Sequence, residues 1–159
     1  MNRPRACYLF SKTPLPKTCT GEINSVILQL QKLQTKEQYL KGAYDFITTR
    51  YESKRLDTAF KLFGLYSTSL ENLWNRKGFM HCTNQNYLLA MLLVRGGLFA
   101  ESDIKPQWAL VDLCPHQYLK IKLHDGQWVE VDCWGRHYGI GFGNHAHGFN
   151  ATLRKSFVA

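Results

Sequence analysis

The sequence predicts an α+β fold in which N-terminal helices and one buried central helix pack on an antiparallel sheet. Three observations carry that expectation. Amphipathic helical spacing runs through residues 22–66, a segment apolar on every side (Tyr87 to Val94) sits mid-chain, and apolar-polar alternation takes over after Lys105-Pro106. Helices first and strands second is the order expected of an α+β chain with an antiparallel sheet. At 159 residues and 45% hydrophobic, the chain is long enough to bury one core without disulfide or metal support. One unit spanning 1–159 is expected: an extended arm (1–20), a helical part (22–66), a core region (67–134), and a Gly/His-rich loop with a basic tail (135–159).

Pro4, Pro14 and Pro16 and the lack of periodicity make the arm extended. Ile23, Val26, Ile27, Leu30 and Leu33 then follow helical spacing. Thr35 with Gln38 forms a capping box for a second helix, whose inner face carries Leu40, Ala43, Tyr44, Ile47 and Tyr51. Leu56 to Tyr66 reads as a third helix ending near Gly64. Thr68 with Glu71 reads as a further capping box, opening a short helix through Leu73 and Trp74 that Gly78 ends. The central helix starts at Cys82 and is stopped by Gly96-Gly97.

Strands are expected over Trp108–Leu113, Gln117–Leu123 and Gln127–Cys133, with His124-Asp125-Gly126 as a turn. The apolar residues of the last two strands must share one face, and this decides the loop length. A two-residue loop sends Val129 and Val131 to the wrong side. A three-residue loop pairs Leu123 with Gln127, Ile121 with Val129 and Leu119 with Val131, and sets Gly126 at the left-handed position such loops require. On the opposite face it puts Lys120 across from Glu130 and Tyr118 across from Asp132, with His116 diagonal to Asp132 and in reach of it.

Composition narrows the classes of function. Residues Met1 to Pro16 have their apolar runs broken by Arg3, Arg5 and Lys12, unlike a secretion signal, and Tyr87 to Val94 is too short to cross a bilayer. A cytoplasmic protein with no membrane partner is expected. Five cysteines without paired spacing argue for reduced thiols rather than a disulfide framework or zinc site. The net charge of +8 comes from dispersed Lys and Arg, which favours a solvated basic surface over a nucleic-acid interface. His145 and His147 with Cys133 and His137 offer metal-ligand types but no recognised spacing, so neither metal nor cofactor is expected. Nothing in the sequence specifies an oligomeric state.

The chemistry centres on Cys82, His116 and Asp132. A thiol at a helix N-terminus is favoured as thiolate by the helix dipole and the unpaired N–H groups there, a neighbouring imidazole favours it further, and a carboxylate fixes the imidazole's tautomer. A lone cysteine is more often an inert core residue, but polar Thr83, Asn84, Gln85 and Asn86 flank this one. Cys114, two residues from His116, is the alternative thiol.

Three pieces of sequence together resemble the transglutaminase-like superfamily, which shares a papain-like Cys-His-Asp core. They are Arg76-Lys77-Gly78 to Cys82 with the apolar helix and Gly96-Gly97, then His116-Gln117-Tyr118, then Gln127-Trp128-Val129-Glu130-Val131-Asp132. The resemblance spans Leu70 to Trp134. It implies that the cysteine begins a helix, the histidine opens a strand and the aspartate ends one. It also implies an oxyanion hole built from the cysteine N–H and a second donor, for which Trp74, Asn75, Asn84, Gln85 and Tyr118 are candidates. The implied activity is thiol-dependent acyl transfer or hydrolysis on peptide or side-chain amides. The alternative is a catalytically inactive transglutaminase-like binding module, which a Cys82 sulfur walled off by Trp74 or the glycine-rich segment would favour.

Overall fold

The structure, a computed structural model, describes residues 5–6, 14–19, 21–67 and 69–151. Expectations for the rest of the arm and for the basic tail past residue 151 fall outside those residues. Helix α1 (Gly21–Leu30) buries the expected stripe of Ile23, Val26, Ile27 and Leu30, and Leu33 packs on the core from the turn that follows. Helix α2 (Lys36–Arg50) begins at Thr35 as expected, its hydroxyl oxygen accepting the Gln38 N–H at 3.1 Å. The return bond from the Gln38 side chain goes to the N–H of Gln34, one residue ahead of the usual capping box.

Two helix expectations are corrected. The stretch expected as one helix over Leu56–Tyr66 is split into α3 (Arg55–Phe60) and a 3-10 turn, Leu62–Leu65. Leu56, Phe60 and Phe63 are 71, 82 and 93% exposed, so no buried stripe holds a longer helix together, and so short a segment does not sustain itself. Helix α4 (Leu70–Trp74) is capped by Ser69, whose hydroxyl accepts the Asn72 N–H at 3.0 Å, and Thr68 of the expected Thr68/Glu71 box lies outside the described residues. It ends at Trp74, ahead of Gly78. Gly78, with φ +73°, instead opens a two-residue strand.

In the described residues, two small strand pairings lie among these helices. Strand β1 (Arg5–Ala6) runs antiparallel to β3 (Tyr66–Ser67), and β2 (Tyr51–Glu52) runs parallel to β4 (Gly78–Phe79). Helix α5 (Cys82–Arg95) follows β4 directly and is buried from Cys82 to Leu93, packed between α2 and the sheet. Gly96 at its end has ordinary helical φ, −69°, so backbone freedom is not what the position needs. A Cβ there would run into the hydroxyl and ring of Tyr39, which is fully buried and donates to the Leu92 carbonyl at 3.1 Å. Gly96→Ala is therefore expected to overpack the α2–α5 contact and lose about 1–3 kcal/mol, read as a fall in thermal midpoint. An unchanged midpoint would contradict this packing.

The sheet has the order β5 (Ile104–Val111), β6 (Cys114–Lys122), β7 (Trp128–Val131), antiparallel throughout. Its last hairpin has the expected register: Leu119 opposite Val131, Lys120 opposite Glu130 and Ile121 opposite Val129. The Leu123 N–H bonds the Gln127 carbonyl at 2.8 Å across the three-residue loop, where Gly126 sits at φ +85°. The first hairpin differs from expectation. β5 starts at Ile104 rather than Trp108, since an edge strand tolerates Pro106, and β6 starts at Cys114 rather than Gln117. Asp112 and Leu113 form the two-residue turn between them with φ of +47° and +69°. Such turns normally carry Asn-Gly, so Asp112-Leu113 is no recognisable turn signal. Among the described residues, no helix is long and apolar enough to cross a membrane.

Candidate active site

The face of the sheet turned away from α5 carries alternate residues of β6 and β7, and this alternation brings His116 to Asp132. The His116 Nε2–H donates to Asp132 Oδ2 at 2.8 Å. The Cys82 side chain lines the same cleft as His116 and interacts electrostatically with its ring, raising the ring's pKa. With Nε2 committed to the carboxylate, Nδ1 is the nitrogen left for a thiol partner. Cys82 is the first residue of α5, so the helix that fills the core also delivers its N-terminal end to the edge of the imidazole. All three are buried, at 8, 4 and 2% exposure for Cys82, His116 and Asp132.

Asp132 is held from three sides. Besides His116, its Oδ2 accepts the Ala146 N–H at 2.8 Å, and its Oδ1 accepts the Gly135 N–H at 2.8 Å. Gly135 is required by close approach, because a Cβ would come within 2.6 Å of Oδ2. Such charge-assisted bonds to backbone N–H groups fix the carboxylate's direction. Burial pushes the His116 pKa down, but the charge of Asp132, its hydrogen bond and the Cys82 thiol outweigh burial and raise it to about 10. The imidazole is therefore charged at neutral pH.

Trp134 covers the imidazole. Its ring lies 4.9 Å from that of His116 and stacks on Tyr138 at 4.3 Å. A cleft of about 360 Å³ opens between the α3 segment and the β5–β6 turn and reaches Cys82, His116 and Trp134. His81, the residue before the thiol, also lines it, with Nε2 donating to the Lys61 carbonyl at 2.7 Å and its ring edge-on to Phe79. Burial lowers the His81 pKa, the Lys61 carbonyl raises it and Arg76 lowers it, with a net fall.

None of the side chains expected as the second oxyanion donor lines this cleft. Trp74 donates to Glu22 at 2.9 Å and stacks on Phe46 at 5.5 Å, inside the helical part. Asn75 borders a separate depression with Glu22 and Arg50. Asn84 is fully buried, and Gln85 bonds Ser53 at 3.0 Å and the Met80 carbonyl at 2.8 Å. Both follow Cys82 on the helix, where turns of roughly 100° per residue carry them to other faces. Tyr118 stacks on His145 at 3.9 Å, beyond the Asp132 side of the histidine. The candidates left are main-chain ones: His81 makes no side-chain cap, and with the Asn84 N–H bonded to the His81 carbonyl at 3.1 Å, the N–H groups of Cys82 and Thr83 are the helix-start donors next to the thiol.

The Gly/His-rich segment is a brace. His145 Nδ1 and Glu130 Oε2 are 2.6 Å apart, Lys120 reaches the same carboxylate at 3.4 Å, and Gly143 bridges Glu130 through the main chain. This fastens the loop whose Ala146 N–H holds Asp132. Burial pushes the Glu130 carboxyl up, but His145 and Lys120 beside it bring it below the usual range. Among the described residues, no three His, Cys, Asp or Glu side chains come together to hold a metal ion. Cys133 is buried, its thiol pushed well up by burial and by Asp132, whereas Cys114 is exposed.

His81, Trp134 and Ala146 are the site residues that sequence reasoning missed. Adjacency to Cys82 and Asp132 was the available signal for the first two. Ala146 acts through its backbone, which carries none. No protein-family model matches the chain, and neither does a curated protein or a solved structure.

Proposed function

We propose that the protein is a thiol-dependent acyl-transfer enzyme, with Cys82 as nucleophile, His116 as acid and base, and Asp132 as the residue that orients and charges the imidazole. The observation that carries this reading is a single imidazole ring, bonded to a fully held carboxylate, that shares one cleft with a helix-start thiol and interacts with it electrostatically. In the first half-reaction the Cys82 thiolate forms a bond to the substrate's carbonyl carbon. The leaving group departs with its bonding electron pair and takes the proton from the His116 imidazolium, giving a thioester. In the second, water or an amine gives a proton to His116 and attacks the thioester carbon, and the S–C bond breaks to restore thiolate and imidazolium. The N–H groups of Cys82 and Thr83 at the start of α5 suit the oxygen that becomes negative in each step.

Access to the thiol favours this reading over an inactive binding module. The cleft reaches Cys82, and neither Trp74 nor the Gly139–Gly148 segment is part of its wall. Iodoacetamide at neutral pH is expected to modify Cys82 at least tenfold faster than the exposed Cys114. Cys82→Ala is expected to abolish both the fast labelling and any acyl-enzyme formed from p-nitrophenyl acetate. Fast labelling confined to Cys114 in peptide mapping would sink the proposal.

A further inference from the structure

We infer that the acyl group this site accepts is apolar, an aliphatic or aromatic chain rather than a carboxamide or charged side chain. The inference rests on the acyl-transfer reading of Cys82 and names its substrate class. Carbon atoms make most of the cleft beside the thiol, from Leu65, Val111, Pro115 and Trp134. Most polar side chains that share the wall already have protein partners, and the indole N–H of Trp134 is the donor left without one. The Thr58 hydroxyl donates to the Lys54 carbonyl at 3.0 Å, and the His81 Nε2–H to the Lys61 carbonyl at 2.7 Å. Arg55, from α3, pairs with Asp112, from the turn on the facing wall, so the two charges cancel at the point where a charged substrate group would seek one of them. His116 is bonded to Asp132.

A carboxamide or ion entering such a cleft beyond the thiol gives up its water and finds little besides the Trp134 indole N–H to replace it, which is costly. An apolar chain gives up nothing of the kind and is driven in by burial. At about 360 Å³, the cleft falls in the size range of small-molecule pockets and holds a chain of several carbons.

The test uses the full chain carrying Cys114→Ser, which removes the exposed second thiol of the same cleft. N-alkylmaleimides from methyl to octyl are reacted with it, and the second-order rate of Cys82 modification is followed by mass spectrometry. The rate is expected to rise about fourfold per methylene until the cleft is full, and Leu65→Asp is expected to flatten the series. A rate in the unsubstituted wall that is level or falls with chain length overturns the inference. A parallel series of p-nitrophenyl esters, acetate to octanoate, separates the two readings. Acyl-enzyme formed equally fast across the series overturns the apolar substrate alone. No acyl-enzyme on Cys82 from any ester overturns the acyl-transfer reading and this inference with it.

Discussion

Asp132→Ala is expected to lower stability by about 3–5 kcal/mol and to cut acyl transfer by roughly 10³–10⁴-fold. The two effects share one cause. The carboxylate is 2% exposed and accepts from His116, Gly135 and Ala146, so alanine strands a buried imidazole and two buried backbone N–H groups at once. Urea unfolding reads the first effect and the rate of acyl-enzyme formation the second. Asp132→Asn separates them. Its amide keeps the volume and one acceptor oxygen, so much of the stability returns, while the charge that holds His116 as an imidazolium does not. If the alanine variant unfolds at the wild-type urea concentration, the three-sided anchoring is wrong. If the asparagine variant forms acyl-enzyme at the wild-type rate, the carboxylate plays no part in the chemistry.

His116 is expected to make the fold's stability depend on alkaline pH. Its native pKa of about 10 lies above the ordinary histidine value, so the native state holds the proton more tightly than the unfolded chain. The sign follows directly: the stabilisation is complete below about pH 6.5 and is lost as pH rises through about 10, on the order of a few kcal/mol in all. Buried Tyr39 and Tyr51, each raised to about 12 by burial, add a separate loss above pH 10, where the unfolded chain ionises first. The informative quantity is therefore the difference in unfolding free energy between wild type and His116→Gln. That difference is expected to shrink steadily between pH 6.5 and 10. A difference independent of pH over that interval would mean that the imidazole is not held charged.

Legibility in the sequence followed burial. The stripes of α1 and α2, the wholly buried α5 and the last hairpin's register all rest on which side chains must leave water, and each was readable. The register did most, because pairing Ile121 with Val129 leaves His116 no face but that of Asp132. Where burial is absent, the reading failed. Leu56, Phe60 and Phe63 have a helical spacing but face outward, and the helix they suggested is broken. The Asp112-Leu113 turn lacks the residues that usually mark a left-handed pair, and the hairpin start was misplaced with it. Side-chain type near Cys82 in sequence does not identify the oxyanion donor. Helical rotation sends Asn84 and Gln85 elsewhere and leaves the main chain at the thiol. Backbone donors such as those of Gly135 and Ala146 carry no residue-type signal at all.

The anchoring of Asp132 also divides the chain at Val131. The helix with Cys82, the strand with His116 and most of the core lie before that point, whereas Gly135 and Ala146, which aim the carboxylate, and His145, which fastens their loop to Glu130, lie after it. The core and the counter-charge of the imidazole are thus encoded in separate stretches of one chain, and a lesion confined to the second leaves His116 without its partner while every core helix keeps its residues.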